Sequence, residues 1–214
     1  MSLLLPTVQG TNFLTDMISQ IHSAIKNGLL KITHGKLSEA FLIKSDLSTE
    51  ERIVLYKLAL GRKSIIEIGS YIGASACCFG AAMKESGVGR VYCIDTWNND
   101  AMTEGSRDTY AEFLKNTAAF EQFIVPIRGF STEVIDLICT KIDHIDMIFI
   151  DGDHSYQGVK SDWDRYKVFL KTGSVIVFHD WGWAEGVKKV IGEEVAPLVR
   201  SFRSLPNMWW GLIK

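Results

Sequence analysis

The feature that most constrains the fold is an apolar run that contains one acid and opens into a glycine turn. It spans residues 65–75 and reads Ile-Ile-Glu-Ile-Gly-Ser-Tyr-Ile-Gly-Ala-Ser. The run predicts a buried strand with Glu67 near its C-terminal end, followed by a turn at Gly69 and Gly73 that leads into a helix. This arrangement is typical of the floor of a nucleotide pocket in a doubly wound α/β sheet.

The residues of this turn discriminate between nucleotides. A dinucleotide fold keeps a glycine at the second position of G-x-G-x-x-G so that the backbone can approach the pyrophosphate. Tyr71 occupies that position here, and its ring would crowd a diphosphate. Glu67 would add a negative charge, which opposes phosphate binding at a helix N-terminus. A ligand with an adenosine, no phosphates and a positive centre suits the turn better than NAD, and S-adenosylmethionine (SAM) is such a ligand.

The rest of the chain alternates strands with helices. Strands are predicted at 64–68, 90–95, 123–128, 145–151 and 174–179, and helices at 73–85, 107–118, 131–140, 155–170 and 184–198. Repeated β-α units predict a parallel sheet with helices on both faces. Residues 201–213 are expected to form an antiparallel hairpin around Pro206-Asn207. The polar residues from Asn98 to Gly105 indicate either a lid or a plain loop.

The N-terminal part of the chain is predicted to be helical. Residues 11–27 place apolar side chains at helical spacing, and Ser48-Thr49-Glu50-Glu51 is a capping box that opens a helix through Leu60. We find no repeat or Pro-rich linker that would mark a second domain. The expected organisation is a helical N-terminal extension, residues 1–60, packed on a catalytic domain, residues 61–214.

Composition excludes several classes of partner. The chain has 214 residues, 47% of them hydrophobic, which is enough for the core of one α/β domain. Its net charge of −2 gives no global basic field for nucleic acid. An apolar run of the ~20 residues that span a bilayer is missing, as is a signal peptide, so no membrane association is expected. The four cysteines lack metal-ligand spacing and indicate buried free thiols of a cytoplasmic protein.

Chemistry-bearing residues gather where the predicted strands end. In doubly wound sheets, ligands bind at the C-terminal ends of the strands. The second strand ends at Asp95, placed to accept hydrogen bonds from a ribose, and the third ends at Arg128–Ser131, where a glycine and an aromatic ring could receive an adenine. The fourth ends in Asp151–His154 and the fifth in His179 and Asp180. An apolar strand would not need these ionisable groups for folding alone.

These motifs resemble those of a known enzyme family. Residues 67–75 resemble the first motif of class I SAM-dependent methyltransferases, especially its catechol O-methyltransferase version. Residues 150–156, with Gly173-Ser174 and His179-Asp180, resemble the bacterial small-molecule O-methyltransferases. The resemblance covers the chain from about residue 60 to about residue 182. It implies an α/β fold with a doubly wound, mostly parallel seven-stranded Rossmann-like sheet whose last strand is antiparallel, which agrees with the hairpin.

The same resemblance implies an activity and a set of cofactor contacts. The expected activity is transfer of a methyl group from SAM to a hydroxyl of a small polar acceptor, such as a sugar, a phenol or a natural product. Carried over by position, the turn would line the methionine part of SAM, Asp95 would hold the ribose, and Phe130 with Ser131 would contact the adenine. The full cofactor-binding set is Glu67, Gly69, Ser70, Tyr71, Gly73, Asp95, Thr96, Gly129, Phe130, Ser131 and Asp151.

The resemblance also implies a metal site, from which this chain departs. In the metal-dependent relatives an Asp after strand four and an acid–amide pair after strand five bind Mg²⁺, and those positions are Asp151, His179 and Asp180 here. Histidine is a poorer Mg²⁺ ligand than a carboxylate because hard cations prefer oxygen. Three alternatives stay open: another divalent cation, Asp153 in place of the missing oxygen, or no metal.

His154 is the first candidate for the catalytic base. The catalytic lysine of the resembling family follows the metal-binding Asp by three residues, and that position is His154 here. An imidazole with an ordinary pKa of ~6.5 is mostly neutral at cytoplasmic pH and can accept a proton without a further shift. Asp153 is the second candidate, although Asp153 or Ser155 is also expected to cap the following helix. For His179, a functional role and a structural role as a hydrogen-bonded histidine of the core are equally compatible with the sequence.

Two rival functions remain at this point. One is a non-methylating, metal-dependent enzyme on the same scaffold, and the other is a SAM-binding module without catalysis. A binding module would not need Asp151, Asp153, His154 and Asp180 together, and this set favours an enzyme. The expected partner is a small-molecule acceptor, and assembly into a homo-oligomer is left open.

Overall fold

The computed structural model describes residues 12–98 and 105–214, and it contains a seven-stranded sheet. The strands are β1 Ser64–Ile68, β2 Arg90–Asp95, β3 Ile124–Arg128, β4 Ile145–Ile150, β5 Leu170–His179, β6 Val199–Ser204 and β7 Met208–Ile213. Their order is β3-β2-β1-β4-β5-β7-β6, with β1 to β5 parallel and β7 antiparallel to both neighbours. The predicted fold class, including the antiparallel last strand, is confirmed.

Helices surround this sheet. They are α1 Asn12–Thr33, α2 Ser38–Leu42, α3 Thr49–Ala59, α4 Ala74–Ser86, α5 Tyr110–Thr117, α6 Ile135–Cys139, α7 Tyr156–Tyr166 and α8 Glu185–Val190. The last predicted helix is broken: after α8 the chain makes a π-helical segment, Ile191–Val195, and a 3₁₀ turn, Ala196–Leu198. Pro197 lies in that turn, and its missing N–H cannot continue a helix. The sequence did not predict α2. Residues 1–11 of the predicted N-terminal extension and 99–104 of the predicted lid or loop lie outside the described residues.

The sheet separates two apolar layers. All five residues of β1 are buried, and alternate side chains of the strand point to opposite faces. Ile65 packs in one layer with α3 and α4, whereas Ile66 and Ile68 pack in the other with α7 and α8. The near-continuous apolar sequence of β1 follows from this coverage on both faces.

The segment before β1 belongs to the same core as the sheet. Ala40, Leu47 and Leu55 are buried in the layer that contains Ile65. The predicted capping box is confirmed, because the Ser48 hydroxyl accepts a hydrogen bond from the Glu51 amide at 3.2 Å and Glu51 Oε2 accepts one from the Ser48 amide at 2.8 Å.

A buried arginine orders the loop that precedes α3. Arg52 Nε donates a hydrogen bond to the Leu47 carbonyl at 3.0 Å, and Nη1 donates to the carbonyls of Ala40 and Ile43. Charged donors form stronger hydrogen bonds than neutral ones. The guanidinium therefore fixes residues 40–47, which reach the functional site.

The first helix keeps its apolar stripe in solvent. Met17, Ile21, Ile25 and Leu29 lie four residues apart on α1, and between 41% and 67% of each is exposed. The amphipathic pattern predicted for residues 11–27 is therefore present, but it is not buried against the rest of the chain. Among the helices described, none combines the length and the apolar character that crossing a bilayer requires.

The turn after β1 needs a glycine at its first position. Gly69 has φ +84°, and a Cβ added there would lie 2.0 Å from the Asp151 carbonyl oxygen. Hydrogen bonds hold this close approach on both sides, from the Gly69 amide to the Ile94 carbonyl at 3.0 Å and from the Asp151 amide to the Ile68 carbonyl at 2.8 Å. The backbone after β4 is thus packed directly on the turn after β1.

We expect Gly69→Ala to destabilise the fold much more than Gly61→Ala. Gly61 has a similar φ of +76°, yet nothing lies within 4 Å of an added Cβ. Alanine in this conformation costs roughly 1–2 kcal/mol at either position, and its effect on the unfolded chain cancels between the variants. The contact with Asp151 should add roughly 1–3 kcal/mol for Gly69→Ala alone. Urea denaturation of both variants measures the difference, and equal losses would contradict the close approach.

Candidate active site

A cavity of about 1030 Å³ opens at the C-terminal ends of the parallel strands. Ligand pockets typically have volumes of ~300–1,000 Å³, so this one has room for a nucleoside and a second small molecule. Its walls are the turn after β1, the loops after β2, β3, β4 and β5, and residues 44–47 from the segment that Arg52 orders. The cavity lies where ligands bind in doubly wound sheets.

The structure brings all but one of the predicted site residues into the wall of this cavity. Those that line it are Gly69, Ser70, Tyr71, Gly73, Asp95, Thr96, Gly129, Phe130, Ser131, Asp151, Asp153, His154, His179 and Asp180. Glu67 is the exception. It is fully buried beneath the turn, where its Oε2 accepts a hydrogen bond from the Ser70 hydroxyl at 2.6 Å, and burial raises its pKa to about 7. Its position supports the turn from below.

Asp95 connects the end of β2 to the same turn. Its Oδ2 accepts hydrogen bonds from the amides of Ser70 at 2.9 Å and Tyr71 at 2.8 Å, and its Oδ1 accepts one from the Trp97 amide at 2.7 Å. Three amide donors fix the carboxylate at the edge of the cavity. The predicted ribose contact stays a prediction, and the observed role of Asp95 is to shape the turn.

Three residues other than glycine adopt left-handed backbone conformations at these strand ends. They are Tyr71 with φ 42°, Trp97 with φ 53° and Asp180 with φ 58°. Such conformations cost roughly 1–3 kcal/mol each and persist where neighbouring contacts hold them. The Trp97 indole nitrogen donates to the Tyr71 carbonyl at 2.9 Å, so two of the strained residues hold each other.

Asp180 is the centre of a polar cluster on the β5 side of the cavity. Its Oδ2 lies 2.7 Å from His154 Nε2. Its Oδ1 accepts hydrogen bonds from the Trp183 indole at 2.7 Å and from the Asn207 amide at 2.9 Å, and lies 3.4 Å from His179 Nδ1. Burial alone would raise the pKa of Asp180, but the hydrogen bonds from His154 and His179 outweigh it and hold the pKa well below the usual range. Asp180 is therefore a carboxylate at any pH near neutrality.

The expectation of an ordinary pKa for His154 is wrong. The hydrogen bond with Asp180 raises the pKa of His154, and burial only partly opposes this effect. The imidazole therefore stays protonated to a higher pH than an exposed histidine. Its ring packs edge-on against Trp183, with centroids 5.0 Å apart, and it lines the cavity. A histidine oriented by a buried carboxylate is suited to accepting a proton and stabilising the imidazolium that results.

His179 is buried among three carboxylates. Its Nδ1 lies 3.1 Å from Asp151 Oδ1, and its Nε2 lies 3.8 Å from Oε2 of Glu51, which forms the capping box of α3 with Ser48. Burial lowers the pKa of His179, but Asp151, Asp180 and Glu51 outweigh it and raise the pKa to about 12. His179 thus carries a positive charge at neutral pH and offsets part of the negative charge of the cluster.

The predicted cap of α7 is formed by Ser155. The Ser155 hydroxyl accepts a hydrogen bond from the Gly158 amide at 3.1 Å, and Asp153 accepts hydrogen bonds from the Ser155 amide at 2.7 Å and hydroxyl at 2.9 Å. Asp153 therefore supports the cap while it lines the cavity. Ser155 is thus the cap, and the role of Asp153 as second candidate base stays a prediction.

Several residues of the site were not predicted from the sequence. Asn207 was predicted only as a turn residue, yet it reaches Asp180, and its amide is oriented by a hydrogen bond from the Gly182 amide at 3.2 Å. The available signal was topological: an antiparallel last strand beside β5 places its first residue, Met208, opposite His179 at the cavity end. Asp162 and the loop at residues 44–47 were also missed, and they line the cavity.

Comparison with known proteins identifies the family. Residues 66–181 match the family described as a methyltransferase domain, which is more than half of the chain. The chain belongs to this methyltransferase family. The matched segment begins inside β1 and ends just after Asp180, so it contains the turn, His154, His179 and Asp180 but not Trp183 or Asn207. The predicted family resemblance is confirmed.

Solved methyltransferase structures share the fold. An O-methyltransferase from Bacillus cereus in complex with SAH, S-adenosylhomocysteine, has a TM-score of 0.62 at 17% identity, over 86% of this chain and 90% of that one. TomG from Streptomyces achromogenes, an O-methyltransferase involved in tomaymycin synthesis and solved with SAM, has a TM-score of 0.61 at 15% identity, over 84% and 89%. Apo CalS11, a TDP-rhamnose 3′-O-methyltransferase of calicheamicin biosynthesis, has a TM-score of 0.60 at 18% identity, over 76% and 77%.

Two curated relatives match shorter segments. Uncharacterized protein y4gI of Sinorhizobium fredii is 28% identical over 57% of this chain, and uncharacterized protein R132 of Acanthamoeba polyphaga mimivirus is 32% identical over 39%. The chain spans only 13% and 42% of the lengths of these two relatives.

We expect Asp180→Asn to lower the pKa of His154. The substitution removes the negative charge 2.7 Å from Nε2 and so removes the main cause of the raised pKa. The imidazole should then lose its proton at a lower pH than in the wild type, which a histidine NMR titration measures directly. Asp164→Asn removes an exposed carboxylate on α7 and should leave the His154 titration unchanged. An unaltered titration in Asp180→Asn would show that the pair does not form in solution.

Proposed function

We propose that this protein is a SAM-dependent O-methyltransferase that methylates a hydroxyl of a small polar acceptor. The observation that carries the proposal is the His154–Asp180 pair, 2.7 Å between Nε2 and Oδ2, in the wall of a cavity whose floor is a glycine turn without a phosphate cradle. Family membership supports methyl transfer, and the pair supplies a base for an oxygen acceptor.

The charge of the cavity favours a positively charged methyl donor. Asp151 lines the cavity, and burial raises its pKa. The positive charge of the nearby His179 opposes this rise only in part. This carboxylate would stabilise a nearby positive charge, such as that of a sulfonium, and would repel the negative charge of a diphosphate. Tyr71, which also lines the cavity, stands where a dinucleotide site needs a glycine. Both features select SAM over NAD.

The proposed reaction is a displacement at the methyl carbon of the donor. When bound, SAM supplies an electrophilic methyl group on a positively charged sulfur. The acceptor oxygen forms a bond to that carbon as the carbon–sulfur bond breaks, and SAH is the neutral-sulfur product. The protein must align the two reactants and remove the proton of the acceptor hydroxyl.

His154 is the proposed base, and Asp180 is the group that orients it. Nε2 faces Asp180, so the ring is held at a fixed angle, and Trp183 limits its rotation from the side. The carboxylate stabilises the imidazolium that forms when the acceptor proton is taken. Because Asp180 raises the pKa of His154, the base becomes competent only as the pH rises through that pKa. Activity should therefore fall toward acidic pH.

A divalent cation is a second candidate at the same cluster. One ligand atom each from Asp151, His154 and Asp180 lie within 4.8 Å of one another, and an imidazole with two carboxylates suits a transition metal better than Mg²⁺. The predicted ligand His179 fits such a site less well, because a protonated imidazole has no lone pair to offer. With a metal bound, His154 would be a ligand, and Asp153 would be the remaining base.

The acceptor is proposed to be a sugar, a phenol or a natural product with a free hydroxyl. CalS11 and TomG, which share the fold, are O-methyltransferases of a deoxysugar nucleotide and of tomaymycin synthesis. The cavity volume of about 1030 Å³ leaves space beside a nucleoside for a small acceptor. Its additional wall at residues 44–47 comes from the segment before β1, so we propose that this segment shapes the acceptor side of the site.

We expect His154→Ala to lower kcat by roughly 10²–10⁴-fold, the usual effect of removing a general base. SAH formation is measured with SAM and a panel of hydroxylated sugars, phenols and natural products. The acidic limb of the pH–rate profile should disappear in the variant, while SAM affinity and thermal stability stay close to those of the wild type. His144→Ala is the matched control, because His144 pairs with Asp146 at the opposite end of the strands.

Three outcomes separate the alternatives. Normal kcat with an intact acidic limb in His154→Ala would move the base to Asp153. Loss of wild-type activity after chelation, with recovery on adding Mn²⁺ or Mg²⁺, would establish the metal site instead of the His154 base. Binding of SAM without methyl transfer to any acceptor class, in wild type and variant alike, would favour a binding module.

A further inference from the structure

A second polar wall of the cavity has no part in the proposed methyl transfer. Asp162, in the middle of α7, lines the cavity although only 5% of its surface is exposed. Its Oδ1 accepts a hydrogen bond from the Ser131 hydroxyl in the loop after β3. Its Oδ2 lies 3.8 Å from the position of a Cβ at Gly152, which also lines the cavity. Asp162 is thus a nearly buried carboxylate in the cavity wall, and within the described residues only its Oδ1 has a hydrogen-bond partner.

Within the described residues, no cationic side chain neutralises the negative charge of this carboxylate. The hydrogen bond from Ser131 is the favourable contact of Asp162, and the charge of Asp153 opposes its ionisation. Burying a carboxylate without a cation or a full set of donors is strongly unfavourable. A donor on the bound ligand would complete the hydrogen bonding of Oδ2.

The position of Asp162 corresponds to the nucleobase end of the cavity. The reacting end of the methyl donor must lie at His154, after β4, and β4 is separated from β3 by β1 and β2 in the sheet. Ser131 and Phe130, on the loop after β3, therefore lie at the far end of the ligand space. The Phe130 ring is 56% exposed and offers a flat surface for a purine.

We propose that Asp162 accepts a hydrogen bond from the exocyclic amino group of the adenine and thereby makes the site specific for a 6-aminopurine. The proposal rests on the proposed function, in which SAM occupies this cavity. Ser131 holds the carboxylate in position, since the Tyr166 hydroxyl donates to the Ser131 carbonyl at 2.8 Å and fixes the loop on α7. A 6-oxopurine would direct a carbonyl oxygen at Oδ2, which leaves two acceptors facing each other.

The test compares SAH with S-inosylhomocysteine, in which a carbonyl oxygen replaces the amino group. The wild type should bind SAH about 10- to 100-fold more tightly, because a site built to receive a donor rejects an acceptor. In Asp162→Asn the new amide can still accept from Ser131 and can donate to the 6-oxo group. The preference for SAH should therefore fall at least about tenfold in this variant. Calorimetric titration of both ligands measures the ratio.

A control variant and the wild-type ratio itself show whether Asp162 determines the preference for SAH. Asp164→Asn changes an exposed carboxylate two residues away, which pairs with Lys160 and Lys167, and should keep the wild-type ratio. A wild-type ratio near one, which needs no variant at all, would overturn the proposal, as would an unchanged ratio in Asp162→Asn. If the wild type binds neither SAH nor SAM, the proposed function itself fails and removes the basis of the proposal.

Discussion

The site depends on one carboxylate, that of Asp180, because it joins the end of β5 and the segment that follows to two other parts of the chain. His154 comes from the loop after β4, His179 from the end of β5, Trp183 from the segment before α8 and Asn207 from the turn between β6 and β7. Asp180 itself has φ 58°, a conformation that its neighbours must hold in place. The antiparallel pairing of β7 with β5 is what delivers Asn207, so the fold class and the cluster are directly linked.

The charges around Asp180 are arranged in alternation. The carboxylates of Glu51, Asp151 and Asp180 surround the buried His179, and Asp180 also pairs with His154 at the cavity wall. His179 remains cationic because its pKa is raised to about 12, and it separates carboxylates that would otherwise repel each other. Glu51 extends this arrangement to the cap of α3, so the segment before β1 is electrostatically part of the site.

The sequence predicted the features that depend on local pattern. The bounds of β1 and β2, the glycine turn and the capping box at Ser48 follow from short-range periodicity and turn chemistry, and the structure confirms them. The ordered strand ends also predicted which residues would meet in one cavity, because parallel strands deliver their C-terminal ends to one edge.

Features that depend on tertiary approach were not predictable in this way. The raised pKa of His154 requires knowing that Asp180 lies 2.7 Å away, and the buried Arg52 contacts carbonyls up to 12 residues distant. Asp162 lies within a helix, and only the packing of α7 against Ser131 directs it into the cavity. Glu67 was placed correctly in the strand, but its side chain points beneath the turn.

The turn after β1 and the carboxylates of the cavity favour an adenosyl sulfonium donor over a dinucleotide. Calorimetric titration of the wild-type protein with SAM and with NAD under identical conditions measures this preference. We expect saturable binding of SAM and at least about tenfold weaker binding of NAD, because Tyr71 and the carboxylates oppose a pyrophosphate. Tight binding of NAD with no binding of SAM would contradict this preference.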